Sequence, residues 1–296
     1  MRVPTLQSIP ETSPKAASRP TAAAMRSRPY SGLVVSTAKY LLRTDVHTFA
    51  FSVAANAILS FFPFVVLLMT VTRRVFHSPT MSEVVVDLLR DYVPAGQDFI
   101  IRNLNALASA RHRAQIASLV ILLFTSSGIF LPLEVALNRI WGFRENRSYW
   151  RNQLVSLGLA FACGVLALLS IGLTAGNLRL LGFLLHGRSS IAAQAAGFLV
   201  MKSFAISSSI AVFFLIYWLL PNGKVPAKAV MPAAVITGLV SEALKYVYLL
   251  ALPRLNFQEV YGPFAISVSL MFWAFLVGLL LLLGAHLSAE AHARGK

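Results

Sequence analysis

The sequence predicts an all-α protein, a polytopic membrane bundle of six transmembrane helices with short amphipathic helices in its first loop. Mean hydropathy is +0.69, and hydrophobic residues make up 57% of the 296 while charged ones make up 12%. That leaves too little polar surface to cover a water-soluble globule of this size. Six runs of roughly 20 residues carry little enough charge to cross about 30 Å of hydrocarbon as helices rising about 1.5 Å per residue. A barrel would need a series of alternating, roughly ten-residue segments, and none is present; lipid leaves the helix as the way to satisfy the backbone.

Residues 1–32 are expected to form a disordered basic tail. Met1 to Tyr30 is rich in Pro, Ser, Ala and Arg, has Glu11 as its single acid and shows no hydrophobic periodicity. No apolar core follows the early arginines, which argues against a secretory signal, although an Arg- and Ser-rich start also fits an organellar transit peptide. Leu33 to Thr48 reads as an amphipathic helix leading into the first span. The spans are expected at Phe49 to Val71, Ala114 to Asn138, Leu154 to Ala175, Ile191 to Leu220, Ala229 to Leu252 and Gly262 to Leu287. Lys202 divides the fourth into a small-residue half and a strongly apolar half, and the first half could lie at the interface. Between the first two spans, Met81 to Tyr92 and Gln97 to Ala110 place Val84, Val85, Leu88 and Leu89, then Phe99, Ile100, Leu104 and Leu107, at helical spacing among charges. They read as surface helices divided at Pro94 and Gly96. The membrane domain thus occupies 33–290, and 291–296 is a short tail.

With six spans, the N-terminal tail, the second and fourth loops and the C-terminal tail share one side. That side carries 15 Lys and Arg against 9 on the other, where Glu83, Asp87, Asp91 and Asp98 offset part of the charge. Both termini are therefore expected in the cytoplasm. The net charge of +15 suits basic flanks set against anionic lipid head groups. It does not suit nucleic acid, because no basic stripe is interleaved with exposed aromatics on a soluble domain. The single cysteine, Cys163, falls inside the third span and can make neither an internal disulfide nor a metal cluster.

Ionisable groups within a span usually face the bundle interior or water and often mark a site. Glu134, Lys202, Glu242 and Lys245 stand out. Glu242 and Lys245 are three apart on one helix and can neutralise each other; Lys202 and Glu242 come out at similar depth, so a cross-helix pair is the alternative. Glu134 and Asn56 also lie at similar depth, and a hydrogen bond between them would join the first two spans. Asn56, Ser60 and Pro63 share one face of a helix that Pro63 should kink, and that face is either a path lining or a packing seam.

Catalysis finds no support. His47, His77, His112, His186, His286 and His292 are scattered over ends and loops, and only His286 and His292 lie close in sequence, without a carboxylate placed as a base. Neither a phosphate-cradling GxxxxGK[ST] nor a GxSxG elbow occurs. No catalytic residue, metal site or cofactor is expected.

Four blocks nevertheless form a pattern. Ala54 to Pro63 reads AANAILSFFP; Asn138-Arg139-Ile140-Trp141-Gly142-Phe143-Arg144 is followed by Arg147-Ser148-Tyr149-Trp150; Leu220-Pro221-Asn222-Gly223-Lys224-Val225 precedes the fifth span. Tyr261-Gly262, Phe272-Trp273 and Leu283-Gly284-Ala285-His286-Leu287 mark the sixth. In order and spacing the set resembles the YihY/BrkB family of bacterial inner-membrane proteins over about residues 38 to 290. The family residues matched are Asn138, Arg139, Trp141, Gly142, Arg147, Pro221, Asn222, Tyr261, Gly262, Trp273 and Gly284. His286 departs from the pattern, standing where the family usually has Glu, and Glu290 one turn on could take over that carboxylate. The resemblance implies an inner-membrane protein of about six spans, with the first loop in the periplasm. Some members look like participants in lipid or lipopolysaccharide movement. The family's old ribonuclease label finds no soluble nuclease domain or acidic cluster here.

The expectation is a transporter or lipid-handling protein in which spans one, two, four and five enclose a polar cleft, with Lys202, Glu242 and Lys245 meeting an anionic lipid head group or solute. The alternative is a non-transporting envelope scaffold that partners periplasmic proteins. Gly158, Gly164, Gly172, Gly278 and Gly284 permit close helix contact within the chain or in a homo-oligomer.

Overall fold

The computed structural model describes residues 30–92, 102, 128–143, 147–185 and 191–294. All the regular structure among them is helical, as the hydropathy demands. Helix α1 (Tyr30–Leu41) is followed by α2 (Thr44–Arg74) and α3 (Pro79–Tyr92). Helix α4 covers 128–141. Next come α5 (Tyr149–Leu185), α6 (Ile191–Leu219) and α7 (Ala227–Leu255), then the short α8 (Phe257–Tyr261), a 3-10 turn at Gly262–Phe264 and α9 (Ala265–Arg294).

Five stretches among the described residues are long and apolar enough to cross a membrane: Thr44–Arg74, Trp150–Leu173, Lys202–Leu219, Ala227–Leu255 and Phe257–Arg294. They overlap the first, third, fourth, fifth and sixth expected spans, the fourth only over its apolar half from Lys202 on. Of the expected second span, only the part from residue 128 on is described, and it is α4; the rest lies outside the described residues, as do the tail to residue 29 and, Arg102 apart, the helix expected at Gln97 to Ala110.

Three expectations shift. The helix expected from Leu33 to Thr48 is broken at Leu42 and Arg43, so Thr44 to Thr48 belongs to α2. Helix already begins at Tyr30 and continues to Arg294, so it reaches into the expected tails at residues 30–32 and 291–294. Helix α3 does not spend its apolar face on the membrane surface. Met81, Val84, Val85 and Leu89 are buried against Val65, Val66, Leu68 and Met69 of α2 and Ile171 of α5, and Thr72 Oγ1 lies 3.2 Å from Ser82 Oγ across the same seam. Lys202 does not interrupt α6, because its ammonium finds partners within the protein.

The main core lies at the opposite end of the bundle. Val46, Ala50 and Val53 of α2 meet Phe130, Leu133 and Leu137 of α4, Tyr217 of α6 and Leu220 just past it, Ala233 and Ala234 of α7, and Leu281, Leu282 and Ala285 of α9. Tyr217 is fully buried, and its hydroxyl donates to the Leu281 carbonyl at 2.9 Å and lies 3.2 Å from Thr237 Oγ1. Gly284 makes room for it, since a Cβ there would overlap both Tyr217 Oη and Thr237 Oγ1.

Candidate functional site

Lys202, Glu242 and Lys245 come together on the seam between α6 and α7. Lys202 Nζ contacts Glu242 Oε2 across the helices, and Lys245 Nζ reaches the same carboxylate from one turn away, 2.9 Å from Oε2 and 3.1 Å from Oε1. The local and cross-helix pairs that the sequence left as alternatives therefore both form. Lys202 also donates to Tyr246 Oη at 2.6 Å and lies 4.5 Å from the centre of that ring, a cation–π contact. Tyr246 went unnoticed in the sequence, although it follows Glu242 by four on the same face. Two ammonium groups share one carboxylate, so the cluster carries a net charge of +1. The three side chains are only 15–23% exposed.

Lys202 precedes the end of α6 at Leu219 by 17 residues and Glu242 follows the start of α7 at Ala227 by 15, distances of roughly 26 and 22 Å along the helices, which set the cluster at the far end of the apolar stretch Lys202–Leu219. Around it, Leu199, Leu239 and Val247 are exposed on the bundle's outer surface.

The other expected site residues do not join it. Asn56 Nδ2 donates to the Ser52 carbonyl, Ser60 Oγ to the Asn56 carbonyl at 2.7 Å, and Pro63 sits within a continuous α2. The expected bond between Asn56 and Glu134 is not made. Asn56 packs instead on Gly128, six residues and about 9 Å along α4 from Glu134. Ser60 borders a cavity of about 470 Å³ whose described lining, including Phe61, Phe64, Phe130 and Leu168, is apolar. Asn56 and Ser60 thus direct hydrogen bonds to their own helix, and the described residues do not show the polar cleft expected between the first, second, fourth and fifth spans.

Glu134 and the second and third sequence blocks make a second constellation, at the end of the bundle that holds α1 and the end of α9. Buried Glu134 accepts from the Arg147 backbone N–H through Oε1 at 3.1 Å, and buried Asn138 accepts from the Asn222 N–H through Oδ1 at 2.7 Å. The Arg147 guanidinium donates to the carbonyls of Leu220 at 2.9 Å, Leu219 at 3.1 Å and Pro221 at 2.8 Å. Leu219 ends α6 and Leu220 and Pro221 follow it, so the guanidinium caps the exit of the helix, where carbonyls lack intrahelical partners. Gly142 takes a left-handed φ of 75° to reverse the chain after α4, and Phe143 seats its ring where a side chain at Gly223 would stand. Trp141 lies 5.9 Å from His292, with a buried Nε1 that has no hydrogen-bond partner among the described residues.

Nearby, His286 stacks on Tyr40 at 4.3 Å. Glu290 Oε2 lies 3.2 Å from His286 Nε2 and accepts from Ser36 Oγ at 2.6 Å, while Oε1 accepts from Arg294 at 2.6 Å. The carboxylate one turn on does arrive beside His286. Serine, histidine and glutamate are adjacent here, yet Ser36 and Glu290 both approach the same ring nitrogen, so they cannot relay a proton through the ring as a nucleophile triad does. Tyr40 is pushed up to about 12, chiefly by burial, with Arg43 opposing and Asp45 adding to the shift, and so remains a neutral wall. Tyr261 is exposed, Gly262 turns the chain at a φ of 52°, and Trp273 packs 5.0 Å from Tyr248. No group of three or more His, Cys, Asp or Glu that could hold a metal occurs among the described residues.

Comparison with known proteins agrees with these blocks. A family model described as "Virulence factor BrkB" matches residues 37–296. A UPF0761 membrane protein of Acinetobacter baylyi is 26% identical over 67% of this chain and 47% of its own length. Another, of Pseudoalteromonas translucida, is 27% identical over 68% of this chain and 66% of its own. The ribonuclease-like protein YfkH of Bacillus subtilis is 25% identical over 81% and 87%. The chain spans about half the length of the first of these relatives. No solved structure matches.

Proposed function

The chain belongs to the BrkB family of membrane proteins, and from that footing we propose that it handles an anionic membrane lipid, whose head group engages Lys202, Lys245 and Tyr246 on the α6–α7 seam. One observation carries the reading: two ammonium groups share one carboxylate on a largely covered helix seam. With the three side chains only 15–23% exposed, the excess positive charge favours a bound anion. The seam opens beside exposed Leu199, Leu239 and Val247, which suits a lipid with acyl chains better than a soluble solute. The family residues Asn138, Arg147 and Asn222 are engaged in joining helices, so their pattern is explained without giving them a substrate.

The reading is of a non-enzymatic protein of the bacterial inner membrane; the ribonuclease-like name of the Bacillus relative has no counterpart in a residue set here. The test is exchange of fluorescent phosphatidylglycerol between leaflets of reconstituted vesicles. Lys202→Gln should abolish exchange while the purified protein stays monodisperse with a near-normal Tm. If Lys202→Gln lowers Tm and yield but exchange per folded molecule is unchanged, the cluster only holds helices together, and the scaffold reading replaces this one.

A further inference from the structure

A second polar pocket lies where α1, α2, α4 and α9 converge, and it does not depend on the Lys202 cluster. It encloses about 180 Å³ between Tyr40, Arg43, Asp45, Phe49, Arg139 and His286. Arg139 Nη1 lies 3.5 Å from Asp45 Oδ2, and Arg43 Nη2 lies 3.9 Å from the same oxygen. Two guanidinium groups, each with five donors, are thus directed at one edge of one carboxylate, and all three side chains are more than half exposed. The pocket floor is the first turn of α2, a 31-residue helix whose N-cap, Arg43, makes no side-chain cap, so the positive end of the helix adds to the arginines. Glu290, the acid nearest the His286 wall, is already engaged by Ser36 and Arg294. Phe49, one turn into α2 from Asp45, stacks beneath Arg139 at 5.3 Å and begins the apolar stretch, which puts the guanidinium groups at head-group level.

We propose that Arg43 and Arg139 form a binding site for a phosphate-type anion, the phosphodiester of an anionic lipid or free phosphate, with Asp45 occupying the position of the anion until it binds. Planar guanidinium forks match phosphate oxygens in pairs. The 180 Å³ accommodates a head group but not a whole lipid, so the acyl chains would lie outside along α2.

The test titrates the full-length chain in detergent with short-chain phosphatidylglycerol, short-chain phosphatidylcholine and sodium phosphate, with bound species counted by native mass spectrometry. It is run in the Lys202→Gln background so that the α6–α7 cluster does not contribute. Phosphatidylglycerol should bind at least about tenfold more tightly than phosphatidylcholine, and Arg43→Gln with Arg139→Gln should remove that preference, as loss of charge-assisted hydrogen bonds requires. Sodium phosphate that binds and displaces the lipid would identify free phosphate as a ligand; lipid binding that phosphate leaves intact would identify the lipid. Unchanged phosphatidylglycerol affinity in the folded double variant overturns the proposal. Should that variant not fold, Asp45→Asn decides: removing the internal competitor must tighten lipid binding severalfold, and an unchanged affinity overturns it.

Discussion

Glu242 serves two ammonium groups, so the charges on the α6–α7 seam are not interchangeable. Removing Lys245 leaves a balanced Lys202–Glu242 pair. Removing the carboxylate leaves two cations facing each other across the helices, for which about 3 kcal/mol is the scale when one partner of a mostly buried pair is lost. Glu242→Gln should therefore lower Tm in detergent much more than Lys245→Gln, and equal effects would show that the second ammonium is already solvated. A similar inequality holds among the glycines, which looked alike as small residues in apolar runs. A methyl at Gly284 would overlap Tyr217 Oη and Thr237 Oγ1, whereas none of the described residues lies within 4 Å of one at Gly158. Gly284→Ala should cost about 1–3 kcal/mol through overpacking, and Gly158→Ala close to nothing, as read by melting of each variant.

Arg147 shows how one side chain fixes an element. Its fork holds three successive carbonyls at the end of α6, while its own N–H is held by buried Glu134 on α4. Lysine offers a point charge without the fork. Arg147→Lys should cost about 1–3 kcal/mol, and amide exchange should quicken at Asn222 and Gly223; unaltered exchange there would show that the turn holds itself. Elements of this kind were legible to different degrees. The spans could be read because the cost of burying charge in lipid forces uniform apolar runs, and Lys202, Glu242 and Lys245 stood out as breaches of that rule. The docking of α3 could not be read, because a helix with one apolar face looks the same whether protein or membrane covers it. Glu134 was mispaired with Asn56 because depth along a helix says nothing about azimuth. It faces the Arg147 loop, and only contacts made by backbone N–H groups reveal that. Arg43 entered only the count of basic residues that sets topology and Asp45 went unremarked, since their pocket exists only once four helices meet.

At the scale of the whole bundle, the contacts at one end fix the direction of each helix. Asp45 at the start of α2 meets Arg139 near the end of α4; Asn138 meets Asn222 between α6 and α7; Trp141 meets His292 near the end of α9; Ser36 of α1 meets Glu290. So α2, α5 and α7 leave this end, while α4, α6 and α9 return to it. Thr44 and Arg139 lie at one end, and the same contacts bring Lys39, Arg43, Arg139, Arg147, Lys224, Lys228 and Arg294 to that side. That concentration is the charge signature of a cytoplasmic face. Reporter fusions should accordingly place residue 36, the 142–148 turn, Gly223 and the C-terminus in the cytoplasm, and His77 and Asn256 in the periplasm. A fusion at His77 that reports the same side as one at Gly223 would break the alternation, and with it the assignment of the Arg43–Arg139 pocket to the inner leaflet and of the Lys202 cluster to the outer half of the membrane.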